Sequence, residues 1–201
     1  MIRRRTNGFT LIEMLTVIVI IGIVVGLSIP AVENLMKSGG LNAAARQVTN
    51  TLNLARQYAI THRVNACVVF PYSGTTPVSS QAPNYLSYAV LTNNPNIGPN
   101  SWGYVGKWES LPIGVVFIKN TAVLGALDSL PTISAPFPSG LGPSVSLAYI
   151  GFTPTGAALQ TATLTYQEGL INGLGAPQTT SANAATNTVD NIIGRIQLNR
   201  P

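Results

Sequence analysis

The chain has 201 residues, which is enough for one domain with a hydrophobic core. Hydrophobic residues make up 46% of it and charged residues only 8%, far below the roughly one quarter that is usual in soluble domains. Polarity comes instead from Thr, Asn, Ser and Gln, alongside 19 Gly and 14 Pro, and this composition suits a β-rich exported domain better than a cytosolic enzyme.

The basic charge is concentrated at the N-terminus. Three of the positive charges belong to Arg3, Arg4 and Arg5, so loss of the first eight residues would lower the formal net charge from +5 to +2. A basic protein is normally a candidate for nucleic-acid binding. Here much of the basicity lies in a segment that we expect to be removed, so the charge favours such a partner only weakly.

The chain has one cysteine, Cys67, and one histidine, His62. One cysteine cannot form an internal disulfide, and one Cys with one His is too few for a structural zinc site, which takes four protein ligands. A Ser/His/Asp triad would have to use His62, and nothing around it matches a nucleophile motif. We therefore expect no catalytic residue, no metal ligand, no cofactor and no small-molecule substrate.

The first predicted element is an apolar helix over residues 9–30. The apolar run 9–29 has about the length needed to cross a bilayer, near 20 residues. Arg3, Arg4 and Arg5 precede it and little charge follows it, which places the N-terminus in the cytoplasm and the remainder of the chain outside. The run is too long for a secretory signal, and no small-residue cleavage pattern follows it.

Glu13 lies near the start of this apolar run. A carboxylate in a membrane costs roughly 2.5–3.5 kcal/mol at the centre of a span and less near its end. That cost requires a reason, and two are open. Glu13 either extends to the membrane surface or pairs with a cation.

Residues 3–13 read Arg-Arg-Arg-Thr-Asn-Gly-Phe-Thr-Leu-Ile-Glu. This segment resembles the prepilin class III signal, in which a short basic leader and a glycine precede Phe-Thr-Leu-Ile-Glu. The resemblance implies that residues 1–8 are a leader, that the membrane-embedded prepilin peptidase cuts between Gly8 and Phe9, and that Phe9 is then N-methylated. These residues would be substrates for other enzymes.

The resemblance also gives Glu13 a role in assembly. After cleavage the α-amino group of Phe9 is a cation, and in a helical filament Glu13 of one subunit can approach the N-terminal amine of its neighbour. In low dielectric such a pair is favoured over two unpaired charges. Pro30 follows the apolar run at an offset common in pilin-like proteins, and we expect it to kink the helix. A plain helix end at the membrane surface is the alternative.

Residues 31–63 are predicted to form an amphipathic continuation of the helix. Apolar residues recur at intervals of three and four on one face, which we expect to pack against a sheet. These residues are Leu41, Ala45, Val48, Leu52, Ala55 and Ala59. Gly39 and Gly40 cost the helix roughly 1 kcal/mol each relative to Ala, which makes this pair a site for a bend or an interruption.

Residues 64–201 are predicted to form a β-rich periplasmic domain, in which turn residues separate the strands. The predicted strands are 64–70, 85–91, 102–108, 115–118, 145–152, 158–166 and 189–198. Two stretches, 73–84 and 169–188, are predicted to be long loops. The expected fold class is α+β, with a long N-terminal helix, membrane-spanning in its first half, packed on one or two antiparallel sheets. Cys67 is expected to be buried in a strand.

A second resemblance involves the amphipathic helix and the C-terminal region. Residues 52–60, Leu-Asn-Leu-Ala-Arg-Gln-Tyr-Ala-Ile, are similar to the helix of the H-type minor pseudopilins of type II secretion and the related T-type minor pilins of type IV pili. Residues 150–156, Ile-Gly-Phe-Thr-Pro-Thr-Gly, resemble a Phe-x-Pro-x-Gly turn of that group, and residues 195–198, Arg-Ile-Gln-Leu, its closing strand. The resemblances cover roughly the first third of the chain and its C-terminal strands.

Some T-type members end in a basic Gly-Arg tail associated with DNA uptake, whereas this chain ends in Asn199-Arg200-Pro201. DNA binding is thereby put in doubt. We expect Arg46, Arg56 and Arg63 to form a solvated helix face rather than a track for phosphates.

Two further groups of residues have more than one interpretation. Five aromatic residues could form a ligand platform, although we interpret them as strand and core residues or filament contacts. They are Tyr85, Tyr88, Trp102, Tyr104 and Trp108. Glu109, Asp128 and Asp190 could bind calcium together with backbone carbonyls, but the chain has no Asp-rich loop to favour this.

Taken together, the resemblances imply a prepilin that is assembled as a minor pseudopilin or minor pilin in a type II secretion or type IV pilus filament. Its expected partners are prepilin peptidase, other pilin or pseudopilin subunits and the inner membrane, which it crosses once. Two alternatives stay open: a major pilin, and a pilus-borne subunit that binds DNA or acts as an adhesin. A tethered enzyme is disfavoured by the small number of ionisable residues.

Overall fold

The computed structural model describes residues 10–93, 102–119, 125–172 and 175–199, apart from the side chains of 25–38 and 180–182. The chain divides into two compact units, Met1–Ser38 and Gly39–Pro201. Gly8, Phe9 and the three N-terminal arginines lie outside the described residues.

One helix, α1 (Leu11–His62), contributes to both units. In the first unit the large apolar side chains from Leu11 to Val24 have exposed fractions between 48% and 83%. Within the described residues, no helix combines the length and the mean hydropathy that a membrane crossing requires. The helix does not end at position 30. The side chain of Pro30 lies outside the description, and the kink stays a prediction.

In the second unit α1 buries a stripe of small side chains. The predicted apolar face is confirmed, because five of its six residues are at most 1% exposed and Leu41 packs against the same cluster. The five are Ala45, Val48, Leu52, Ala55 and Ala59, and Ala44 joins them. No interruption occurs at Gly39 or Gly40, since α1 runs through both.

The C-terminus of α1 is closed by a residue in the left-handed conformation. Arg63 has φ 55°, and the N–H of Val64 donates to the carbonyl of Ala59 at 3.2 Å. This arrangement satisfies one of the last helical carbonyls. It also turns the chain away from the helix and into the first strand.

In the described residues, ten strands follow the helix. They are β1 (Ala66–Phe70), β2 (Ser87–Asn93), β3 (Trp102–Tyr104), β4 (Glu109–Ser110), β5 (Val115–Phe117), β6 (Thr132–Pro136), β7 (Ser144–Phe152), β8 (Ala162–Ile171), β9 (Pro177–Val189) and β10 (Ile196–Asn199). Sheet 1 has the order β3-β2-β1-β7-β6, with β4 paired to β2, and sheet 2 has the order β10-β9-β8-β5. All pairings are antiparallel, which confirms the α+β class and the expectation of one or two sheets.

Strand β1 is buried on both of its faces. Ala66, Val68 and Phe70 belong to the main core, which also contains the buried stripe of α1 and residues of sheet 2. Cys67 and Val69 belong to a second core on the opposite face of sheet 1. The predicted burial of Cys67 is confirmed, and this burial raises the pKa of its thiol.

The largest error of the sequence prediction lies in residues 169–188, which were expected to form a loop. Strand β8 continues to Ile171, and β9 occupies Pro177–Val189. Ala and Asn are poor strand formers, so β9 has little local signal. Its structure comes from pairing with β8 and from the alternate burial of Ala185, Asn187 and Val189.

Two other strands differ from the prediction. The predicted strand 189–198 is wrong in its first half, because β9 ends at Val189 and β10 begins only at Ile196. The carboxylate of Asp190 accepts the N–H groups of Ile192 at 2.7 Å and Ile193 at 3.4 Å, which folds this apolar stretch into a turn.

Strand β6 was not predicted. Its sequence lies among prolines that indicate turns, but β6 is an edge strand, where proline is tolerated. The two-residue strand β4 was not predicted either. The remaining strands lie close to their predicted positions, although β3 is shorter than 102–108 and β8 begins and ends later than 158–166.

A buried polar network joins α1 to sheet 2. Asn187 is fully buried; its Oδ1 accepts the Tyr166 hydroxyl at 3.0 Å, and its Nδ2 donates to Thr49 Oγ1 at 3.1 Å. The Thr49 hydroxyl in turn donates to the carbonyl of Ala45 at 2.7 Å. Because the side chains of Asn187 and Tyr166 are fully buried, a shifted helix or strand would leave their polar groups unsatisfied.

A second polar contact joins α1 to two turns. Arg56 Nε donates to the carbonyl of Gly156 at 2.8 Å, and one of its terminal nitrogens donates to the carbonyl of Ile193 at 2.9 Å. Gly194, with φ 62°, lies so close to Gly156 that an added Cβ would collide with the Gly156 carbonyl oxygen. Arg56 therefore fixes the position of both turns against the helix.

Replacement of Arg56 by alanine should lower the free energy of unfolding by about 1–3 kcal/mol, because two carbonyls lose a charged donor. The matched control is Arg46→Ala, an exposed position on the same helix, which should change stability by no more than about 0.5 kcal/mol. Urea unfolding of the full chain in detergent, followed by tryptophan fluorescence, measures both values. Equal losses in the two variants would contradict the assignment.

Asn187→Leu should destabilise the protein by about 1–3 kcal/mol, because it removes buried partners of Tyr166 and Thr49. The double variant with Tyr166→Phe should recover part of this loss. A double-mutant cycle of unfolding free energies should give a coupling energy above about 0.5 kcal/mol. A coupling of zero would show that the network does not act as a unit.

Candidate functional site

The first turn of α1 contains a reciprocal hydrogen-bond pair. The N–H and the hydroxyl of Thr10 both donate to Glu13 Oε2, at 3.0 and 2.9 Å, and the N–H of Glu13 donates to Thr10 Oγ1 at 3.3 Å. This is a capping box, in which a Thr and a Glu three residues later satisfy each other's backbone donors. The carboxylate is thus held at the N-terminal end of the helix, where the helix dipole favours a negative charge.

The other oxygen of the carboxylate, Oε1 of Glu13, accepts no hydrogen bond from any residue in the described part of the chain. Thr16 directs its hydroxyl back to the carbonyls of Ile12 and Glu13, at 3.0 and 2.9 Å. Its polar group is therefore satisfied within the helix. Glu13 Oε1 remains as an acceptor that an external cation can reach.

The structure brings only part of the predicted N-terminal site into view. Glu13 lies in the first turn of α1 and Pro30 lies within the helix, whereas Gly8 and Phe9 precede the described residues. The sequence analysis missed the part played by Thr10. The signal was present, because Thr10-Leu11-Ile12-Glu13 has the spacing of a capping box.

Two sequence segments that carried the second resemblance meet at Arg56, together with the turn that precedes the third segment. The helix segment 52–60 contributes the guanidinium, and the turn after β7 contributes the carbonyl of Gly156. The turn before β10 contributes the carbonyl of Ile193. Segments widely separated in sequence thus form one junction.

The expectation of a solvated arginine face is only partly right. Arg46 and Arg63 are exposed, but Arg56 is half-buried and donates to backbone carbonyls. Its guanidinium therefore has a structural role.

The predicted aromatic group divides into two sets. Tyr85 and Tyr88 are buried in the main core, as the core interpretation requires. The Tyr85 hydroxyl donates to Asp128 at 2.8 Å, and burial raises the pKa of Tyr85 to about 12. Trp102, Tyr104 and Trp108 pack on the second core and are partly exposed.

The three acidic residues considered for calcium have separate partners. Asp128 accepts hydroxyl groups of Ser73 and Tyr85, and Glu109 accepts that of Thr51. Asp190 accepts the backbone donors of its own turn. Across the described ranges, no group of three or more Asp, Glu, His or Cys side chains could hold a metal ion.

Comparisons with known proteins give two family matches, on different parts of the chain. Residues 3–29 match the model of the prokaryotic N-terminal methylation motif, and residues 44–189 match that of the type II transport protein GspH. Among solved structures, the type IV minor pilin FimU of Pseudomonas aeruginosa (strain PAO1) is similar, with 13% identity and a TM-score of 0.47. The similarity covers 82% of this chain and 92% of that chain. No curated protein matches significantly.

The two family matches indicate where the chain is located and which family it belongs to. The methylation motif indicates membrane anchoring and a place in a pilus or pseudopilus, and the family match implies assembly with other pilin subunits. Because the second match spans more than half of the residues, the chain belongs to the GspH family of type II transport proteins, which are minor pseudopilins and minor pilins.

Proposed function

We propose that the chain is made as a prepilin, cut by prepilin peptidase between Gly8 and Phe9, methylated at Phe9 and incorporated into a filament through Glu13. The observation that carries this proposal is the capping box, which holds the Glu13 carboxylate at the helix end nearest the cleavage position. The methylation motif over residues 3–29 contains all the residues involved.

The chemistry of processing creates the partner that Glu13 requires. Hydrolysis of the Gly8–Phe9 bond frees the α-amino group of Phe9, which is protonated at neutral pH. Methylation replaces one hydrogen by a methyl group and leaves a secondary amine that still carries a proton. An approaching subunit can therefore present a cation to Glu13 Oε1, and in a low-dielectric environment this pair outweighs two unpaired charges.

The proposed location is the inner membrane, with a single pass, a cytoplasmic N-terminus and a periplasmic C-terminal domain, followed by the pilus or pseudopilus. The exposed apolar side chains from Leu11 to Val24 support this location, because water-exposed apolar area of this kind is unfavourable. Lipid would cover them before assembly, and neighbouring subunits after it. The three N-terminal arginines support the orientation.

The proposed role is structural rather than enzymatic. The subunit would belong to either a type II secretion pseudopilus or a type IV pilus. A major pilin is the alternative structural role. DNA binding is not proposed, because Arg56 donates to the carbonyls of Gly156 and Ile193. Of the arginines whose side chains the structure describes in α1 and the residue after it, only Arg46 and Arg63 are exposed.

Glu13→Gln should reduce incorporation into filaments at least about tenfold, because it removes the charge and keeps a carbonyl oxygen that accepts from Thr10. Thr10→Val is the matched control, since it weakens the cap and keeps the carboxylate. Its loss of incorporation should be much smaller. Immunoblots of sheared filaments, normalised to membrane levels of the subunit, measure both. Normal incorporation of Glu13→Gln would refute the pairing.

Gly8→Val should block cleavage, because a β-branched side chain prevents close approach to the backbone at the scissile bond. The uncut chain should then stay in the membrane with its leader still attached. Mass spectrometry of the purified subunit distinguishes the leader-bearing form from one that begins with methylated Phe9.

The control for cleavage is a glycine within α1, Gly22→Ala. An added Cβ at Gly22 meets no atom within 4 Å, so cleavage should be normal. A mature Gly8→Val subunit with an unchanged N-terminus would show that the cut lies elsewhere.

A further inference from the structure

A groove lies on the outer face of sheet 1, beside the second core. Its volume is about 450 Å³, which is in the range of small-ligand sites. The residues that matter for its chemistry are Gln81, Tyr104, Lys107, Trp108, Pro138 and Ser139. None of them takes part in the N-terminal assembly site or in the Arg56 junction.

The aromatic walls of the groove are fixed in place. The Tyr104 hydroxyl donates to the carbonyl of Pro136, and Trp108 Nε1 donates to that of Pro138, both at 2.6 Å. The rings of Tyr104 and Trp108 lie 5.6 Å apart, and Trp108 packs edge-on against Phe137 at 5.5 Å. Both rings are partly exposed, so they offer ring surface and no remaining N–H or O–H donor.

The rim of the groove is polar, in contrast to its aromatic walls. Gln81, Lys107 and Ser139 are exposed. Within the part of the chain that the structure describes, three side-chain groups of the rim make no hydrogen bond or ion pair. They are the side-chain amide of Gln81, the ammonium of Lys107 and the hydroxyl of Ser139. The rim therefore presents one positive charge and several donors beside rigid aromatic surfaces.

This combination matches the chemistry of a sugar acid. The C–H face of a pyranose packs on an aromatic ring, its hydroxyl groups bond to an amide and a hydroxyl, and its carboxylate pairs with an ammonium. We propose that this groove binds an acidic glycan, with Trp108 and Tyr104 as the stacking surfaces and Lys107 as the partner of a uronate carboxylate.

Two other ligand classes fit the groove less well. Proline-rich peptides also bind to aromatic grooves, and their backbone carbonyls require donors. Here the aromatic donors are already bonded to Pro136 and Pro138. Single-stranded nucleic acid requires a charged path along its backbone, whereas among the described residues Lys107 is the one cation that lines this groove.

The test uses the full chain in lipid nanodiscs and digalacturonic acid as the probe, with titration calorimetry as the measurement. Saturable binding with a Kd of about 1 mM or below is expected. The neutral disaccharide cellobiose should bind at least about tenfold more weakly, since it lacks the carboxylate. No saturable binding of digalacturonic acid, or equal binding of cellobiose, would overturn the proposal.

Lys107→Gln should weaken digalacturonic acid binding about tenfold. Lys119→Gln is the matched control, an exposed lysine that does not line the groove, and it should bind as the unchanged chain does. Trp108→Leu should abolish binding, and its circular dichroism spectrum shows whether it is folded. Unchanged affinity of Lys107→Gln for digalacturonic acid would place the glycan elsewhere and overturn the proposal. This outcome holds even if Trp108→Leu does not fold.

A deca-proline peptide and a dT12 oligonucleotide are titrated in parallel. Tighter binding of either one, lost in Lys107→Gln, would assign the groove to that class and overturn the glycan. Incorporation of Lys107→Gln into filaments should be normal, because Lys107 takes no part in the proposed pairing of Glu13. Loss of incorporation in Lys107→Gln would identify Lys107 as a filament contact and contradict its role in glycan binding. This conclusion does not depend on the result for Glu13→Gln.

Discussion

The burial of small side chains on α1 is the constraint on which the rest of the second unit depends. Ala44, Ala45, Ala55 and Ala59 are fully buried, and their short side chains allow the helix axis to approach the strands closely. Larger residues at these positions would separate helix and sheet, and smaller ones would leave voids that cost stability. The main core on both sheets is organised around this contact.

Apolar packing of this kind fixes distance better than it fixes register, because one alanine surface resembles the next. The polar contacts supply the missing specificity. Asn187 can satisfy Tyr166 and Thr49 together in only one alignment of helix and strand. Arg56 does the same for two turns, since its donors are directional and reach only the carbonyls of Gly156 and Ile193. Such contacts select one packing among several with similar apolar area.

The two units divide the functional chemistry between them. In the first unit the apolar surface of α1 ends in a capping box, so a charge is held where processing would create a countercharge. In the second unit the outer face of sheet 1 exposes Tyr104 and Trp108, whose polar atoms are already satisfied. Assembly and ligand binding would thus use separate surfaces.

The N-terminal segment and the apolar helix face were predictable because their signals are local. The spacing of Thr10 and Glu13 defines a capping box, and the recurrence of apolar residues every three or four positions defines the buried face of α1. Likewise, the membership of the minor pseudopilin and minor pilin group followed from short contiguous motifs, which the family matches confirm.

What remained hidden depends on contacts between distant segments. Strand β9 was predicted to be a loop because its residues have little strand propensity, and only pairing with β8 makes it a strand. Arg56 was predicted to be a solvated charge because nothing near it in sequence shows that two remote carbonyls converge on it. The groove of Tyr104, Lys107 and Trp108 is likewise completed by the loop at Pro138. The sequence by itself determined the buried face of the helix and the family, since these follow from periodicity and short contiguous motifs, and it contained the spacing of the cap. Only the tertiary structure decided the strand pairing, the Arg56 junction and the groove, because each requires backbone groups that the fold alone brings within hydrogen-bonding distance.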